Sequence, residues 1–210
     1  MKTLVRLAVC TCLLAAASGD LFAQQAAAPA AQPYAAQPPA GQSEDKTPTS
    51  YDMKAQAALD LQQMQQKFTS LAQAIPQEKY SWRPDPESRS IAEMFLHTAG
   101  AGFGFPKMVD VAAPVGFDGK GFDKTTTDKA KIIEWLNKSF AHSIAAANGI
   151  TNADYAKLVP KLGPGANQGD VIYLLVVHQH EQLGIAIAYA RSIGVVPPWT
   201  ADALKKSKGN

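Results

Sequence analysis

The chain has 210 residues, a formal net charge of +2, and charged side chains at 18% of its positions. A nearly neutral chain does not present the basic surface that attracts nucleic acids or anionic membranes, so neither is expected as a partner. Its two cysteines, Cys10 and Cys12, both lie in a predicted signal segment. The mature protein therefore cannot form disulfides and must be stabilised by a packed core.

Residues 1–23 have the composition of an export signal. Lys2 and Arg6 give it a positive start, an apolar run of residues 7–17 follows, and a small-residue cleavage site ends at Ala23. The apolar run is too short to span a bilayer, so no membrane insertion is expected after cleavage. Because the segment carries two basic residues and one acidic residue, its removal leaves a net charge of +1. We expect an exported protein, located in the periplasm or outside the cell.

Three further segments follow the signal. Residues 24–50 are rich in Ala, Pro and Gln and have few large apolar side chains, which predicts a disordered tether. Residues 51–205 have the length and composition of one domain that can bury a core. Residues 206–210 are predicted to be a solvated tail.

Helical periodicity is found four times in the domain, and no alternating strand pattern is found. The first predicted helix spans about residues 52–74 and ends before Pro76, because the residue before a proline is pushed out of the helical region. The second helix spans about residues 90–104. It begins with a capping box, in which Ser90 caps an early amide and Glu93 reaches back to it.

The third predicted helix spans about residues 128–148, and a short helical turn is expected at 151–154. The fourth helix spans about residues 170–194 and ends before two prolines. The stretches 114–126 and 160–169 are predicted loops. This order of elements predicts an all-α fold, an antiparallel four-helix bundle with one long crossover loop.

The four histidines are the candidate functional residues, and helical geometry assigns each a direction. His97 lies on an apolar face of the second helix. There it is either a ligand or a core histidine bonded to a carbonyl or to water. His142 is opposite the apolar stripe of the third helix and is expected at the surface. His178 is on the inward side of the fourth helix, whereas His180 points nearly the other way.

A metal site in a helical bundle takes inward-facing ligands from facing helices. His97 and His178 supply two imidazoles, and Gln182, one turn beyond His178, supplies a neutral carbonyl oxygen. These three residues are the predicted ligands of a divalent metal, zinc or nickel, although two histidines and an amide make a weak site. Glu181 is the predicted catalytic residue, as a general base, and is also an alternative ligand.

Two parts of the sequence resemble the DinB-like family over about residues 51–203. The matching segments are Lys79–Pro84 with Arg89–His97 before and in the second helix, and His178–Gly184 with Ile187–Arg191 and Gly194–Pro198 in and after the fourth. The resemblance implies an up-down-down-up four-helix bundle that is often dimeric. It also implies a divalent metal held by one histidine of the second helix and a His-x-x-x-His pair of the last.

The match to that ligand pattern is incomplete at one position. His97 and His178 correspond to the first two histidines, but Gln182 stands where the second histidine of the pair is expected. Family members include thiol-dependent transferases and proteins regarded as metal-dependent hydrolases. The resemblance therefore implies one of these activities, while the glutamine weakens the case for metal binding.

Three functions remain open from the sequence alone, and whether the protein is an enzyme is among the open questions. The first is a metal-dependent hydrolase or thiol transferase acting on a small molecule. The second is a metal-free module that binds a small ligand in the same place. The third is an interaction domain, because Val176, Leu183 and Ile187 make a second side of the fourth helix apolar. A second copy of the chain, forming a homodimer, is the partner expected for that side.

Overall fold

The computed structural model describes residues 52–208. The predicted signal, the predicted tether and the last two residues of the predicted tail lie outside the described residues. The described part is all-helical, with one isolated bridge between Leu158 and Asn167 and no strand. Its helices are α1 Met53–Ala74, α2 Ile91–Gly104, α3 Lys129–Gly149, α4 Gln168–Ser192 and α5 Pro198–Lys208.

Side-chain caps explain where the helices begin. The predicted capping box of α2 is confirmed, since Ser90 accepts from the Glu93 amide and Glu93 accepts from the Ser90 amide. The fourth helix begins two residues earlier than predicted. The reason is a second capping box, in which Asn167 and Asp170 bond each other's backbone amides.

The helix α5 was not predicted. The two prolines at 197 and 198 were interpreted as terminators, yet Pro198 is the first residue of α5. Proline is well tolerated at that position because the first amide of a helix has no partner within the helix. The predicted tail therefore continues the helix through residues 206–208, whose side chains are exposed as expected.

The four long helices enclose one hydrophobic core. Helices α1 and α2 each pack against both α3 and α4, and α5 packs against α1. The largest fully buried side chains come from the inner faces of α1, α2 and α3 and from the segment after α1. They include Leu61, Phe68, Tyr80, Phe95, Phe103 and Phe140. Their burial is the main source of stability in a protein of this kind.

The unusually apolar composition of α4 follows from its packing against the other helices. By length and composition alone it is apolar enough to cross a membrane, a property that core helices share. Leu183 is buried, and Val176 and Ile187 pack against the core. Because α4 contacts α1 as well as α2, the second apolar side is covered from within the chain. Contact on two sides was predicted for this helix, and the homodimer stays a prediction.

Candidate histidine site

The structure brings His97 of α2 and His178 of α4 together where the two helices pack. Their ring centroids are 5.3 Å apart and the ring planes are inclined at 56°. Both side chains are half-buried. On its other side, the His178 ring contacts Phe105, at a centroid separation of 5.5 Å. Two imidazoles from different helices thus lie side by side, as their predicted inward directions require.

Burial lowers the pKa of both imidazoles, because a charged ring loses solvation inside the protein. For His97, the positive charges of Arg89 and His178 lower the pKa further, while Asp123 and Glu181 oppose the shift. For His178, Glu181 raises the pKa and Arg89 lowers it. Both rings are therefore neutral at neutral pH, the form in which an imidazole nitrogen can bind a metal or accept a hydrogen bond.

Two buried polar atoms beside this pair have no hydrogen-bond partner among the described residues. They are the Nδ1 atom of His178 and the Oε1 atom of Gln179. Gln179 is only 1% exposed, and its Nε2 atom donates a long hydrogen bond of 3.4 Å to the Thr98 carbonyl. Buried polar atoms are normally paired, so each of these two atoms is expected to bind a water, an ion or a ligand group.

Sequence reasoning missed Gln179. The inward face of α4 was centred on His178, but the buried positions include Leu175, Gln179, Gln182 and Ala186. These follow the spacing of three and four residues that defines one face of a helix. Gln179 is polar, so no apolar pattern marks it, and its burial is seen only in the folded chain.

Gln182 and Glu181 differ in their exposure to solvent. Gln182 is buried, at 7% exposure, and lines a cavity of about 550 Å³. His97 lines a neighbouring cavity of about 370 Å³, and Asp123 lines both. Glu181 is exposed, although its charge acts on both imidazoles. The roles of Gln182 as a ligand and Glu181 as a base stay predictions.

The other two histidines lie outside the pair. His180 was predicted to point away from His178, toward the second apolar side of the fourth helix, and it is exposed. His142 was expected at the surface, but it is half-buried against Phe103 at a centroid separation of 5.6 Å. The reason is that Ser139 and Ala146, one turn on either side of His142, are buried, so the inner face of α3 is wider than its apolar stripe.

The donor set partly fits a divalent metal. Two imidazoles that share one tetrahedral ion, roughly 2 Å from each ligating nitrogen, have centroids roughly 5 Å apart. The observed 5.3 Å separation agrees with this value. Within residues 52–208, however, no group of three or more His, Cys, Asp or Glu side chains is arranged to hold a metal. A third protein ligand would have to be a weaker donor such as the Gln182 amide.

Comparison with known families agrees with this fold. The DinB superfamily matches residues 60–186, which is more than half of the chain and includes His97, His178 and Gln182. The chain belongs to the DinB superfamily. None of the curated proteins matches it.

Proposed function

We propose that the chain is an exported DinB-like enzyme that holds a divalent metal, zinc or nickel, between His97 and His178. Its reaction is hydrolysis or thiol transfer on a small molecule. The observation that carries this proposal is the pairing of two neutral, half-buried imidazoles from α2 and α4 at a separation suited to a shared ion. Export is inferred from the composition of residues 1–23.

We also propose that α1–α4 form an antiparallel four-helix bundle in which the segment between α2 and α3 is the long crossover. The packing of α1 and of α2 against both α3 and α4 supports this arrangement. Such a bundle brings ligands from facing helices into one core site. A crystal structure of the mature domain tests the helix directions.

Each residue of the site has a role that its surroundings favour. His97 and His178 offer unprotonated nitrogens because burial keeps them neutral. Gln182 can add its carbonyl oxygen or bond a ligand, and Glu181, at the exposed edge, can accept a proton. A divalent metal at this pair would supply Lewis acidity and lower the pKa of a bound water or thiol.

Metal content tests the proposal. Mature protein from residue 24 onward, without a histidine tag, is equilibrated with Zn²⁺ and measured by elemental analysis. We expect about one zinc per chain. His97→Ala should lose it, and His180→Ala is the matched control because it removes an exposed histidine of α4, the helix that carries His178. Absence of zinc from the native protein, or equal loss in both variants, contradicts the proposal.

A second candidate is a metal-free module that binds a small ligand by hydrogen bonds. The unpaired Oε1 of Gln179 and Nδ1 of His178 favour it, because buried amides and imidazoles of this kind orient ligands in pockets. The variant Gln182→His separates the two candidates. If the native protein binds no zinc and the Gln182→His variant does, the chain is a scaffold that has lost its metal and kept its pocket.

A further inference from the structure

The cavity lined by Gln182 has a polar rim and an apolar wall. It lies between the start of α2, the turn Phe122–Lys124 and the second half of α4, and its volume is about 550 Å³. The apolar wall consists of Met94, Ile185 and Tyr189. Cavities of this size accommodate small molecules, and their few polar groups decide which molecules bind.

Two of the rim cations differ in how far they are already engaged. The Arg83 guanidinium donates to the Ser88 carbonyl at 3.0 Å and pairs with the Glu93 carboxylate at 3.2 Å. Glu93 in turn accepts from the Ser90 amide at 2.7 Å. This group is internally satisfied and holds the entrance to α2. It therefore leaves little charge for a ligand.

Arg89 is much less engaged. Its side chain is 50% exposed, and among the described residues its charge partner is Asp123, with a loose Nε–Oδ2 separation of 3.7 Å. The planar guanidinium has further donors that match a carboxylate in a two-pronged geometry. Lys124 lines the same rim. Glu87 also lines it, and water screens its charge as it screens those of Arg89 and Lys124, which are exposed too.

The rim and the histidine pair are close enough to act on one ligand. Asp123 lines both this cavity and the cavity of His97. Gln182, one helical turn after His178 on α4, lines the same cavity as Arg89. A molecule whose charged end lies at Arg89 could therefore extend over the apolar wall toward Gln182.

We propose that this cavity binds small carboxylic acids with an apolar body. Arg89 and Lys124 bind the carboxylate, while Met94, Ile185 and Tyr189 contact the body. If the proposed function holds, such acids are the substrate class of the histidine site. The recognition itself does not depend on the metal, because Arg89 and Lys124 supply the charge.

Calorimetric titration of the metal-free protein with hippurate and its uncharged amide, hippuramide, tests the proposal. The mature protein is treated with a chelator first, so that the carboxylate cannot bind a metal. We expect hippurate to bind more tightly than hippuramide. Arg89→Gln should weaken hippurate binding roughly tenfold, the effect of losing one charge-assisted contact, and leave hippuramide unchanged.

A variant that is expected to strengthen binding rules out misfolding as the cause of the weaker binding of Arg89→Gln. Asp123→Asn removes the carboxylate that competes for Arg89, so hippurate should bind more tightly than to the native protein. Lys131→Gln, an equal loss of charge on α3, does not line the cavity and should change nothing. Equal affinity for acid and amide, no binding of either, or no response to Arg89→Gln and Asp123→Asn would overturn the proposal. Zinc binding is measured separately, so a failure of either proposal leaves the other standing.

Discussion

The contact of Gly102 on α2 with two serines of α3 provides a sharp test of the packing. At Gly102, an added Cβ would overlap the Ser139 Oγ and lie 2.8 Å from the Ser143 Oγ. Both hydroxyls are buried and bonded across the interface. The Ser139 Oγ donates to the Ala99 carbonyl at 2.7 Å, and the Ser143 Oγ donates to the Gly102 carbonyl at 2.9 Å. The variant Gly102→Ala must displace both serines or separate the helices.

The expected loss of stability in Gly102→Ala follows from two destabilising effects and one stabilising effect. Overpacking a filled interior costs about 1–3 kcal/mol, and disturbing a buried hydrogen bond costs about 1–3 kcal/mol more. The higher helix propensity of alanine returns about 1 kcal/mol. We expect Gly102→Ala to lower the free energy of unfolding by about 3 kcal/mol. For a domain of this size, that corresponds to a fall in Tm of about 6–12 °C.

Urea and thermal unfolding measure this effect, and the same helix offers a matched control. A Cβ added at Gly104 meets nothing within 4 Å, so Gly104→Ala should leave stability unchanged or raise it slightly. Adding Ser139→Ala to Gly102→Ala removes the overlapping atom and should recover part of the loss. A Gly102→Ala protein as stable as the native protein, or equal destabilisation by Gly104→Ala, would refute the packing described here.

The remaining predictions concern protons, a buried hydroxyl and a helix cap. Burial lowers the pKa of all three half-buried histidines, so the native state binds fewer protons than the unfolded state, and the free energy of unfolding should fall as pH drops below about 6.5. Urea unfolding between pH 7.5 and 5 checks this. His142→Gln should reduce the dependence of the free energy of unfolding on pH, and an unchanged dependence would argue against a lowered pKa of His142. Tyr80→Phe leaves the Ala72 carbonyl without its 2.7 Å donor and should cost about 1–2 kcal/mol in thermal unfolding, whereas Tyr173→Phe, at an exposed site, should cost nothing. Ser90→Ala should cost about 1 kcal/mol by removing the cap of α2, and a null effect would contradict the capping geometry.

The four long helices could be predicted because their signals are local. Capping residues, prolines and apolar spacing act within one turn of the chain, as the capping box at Ser90 illustrates. The pairing of His97 with His178 followed from helix directions and the family pattern. The end of α4 was also close to its prediction, since Gly194 has the left-handed backbone that glycine favours.

The features that were missed depend on contacts between distant parts of the chain. His142 is half-buried because the Phe103 ring of α2 lies against it, which no pattern within α3 reveals. The two cavities that meet at Asp123 exist because the segment after α2 folds back beside α2 and α4. Only the assembled fold brings the Arg89 side chain to the rim of the cavity that Gln182 lines.

The most direct test of the central claim follows the imidazole nitrogens of the mature protein by NMR during a Zn²⁺ titration. The account predicts that the signals of His97 and His178 change together and saturate near one equivalent of zinc. The signals of His142 and His180 should stay in place, since His142 packs against Phe103 and His180 points to the other side of α4 from His178. A titration in which the His97 and His178 signals do not respond, or in which only His180 responds, would contradict a metal held between α2 and α4.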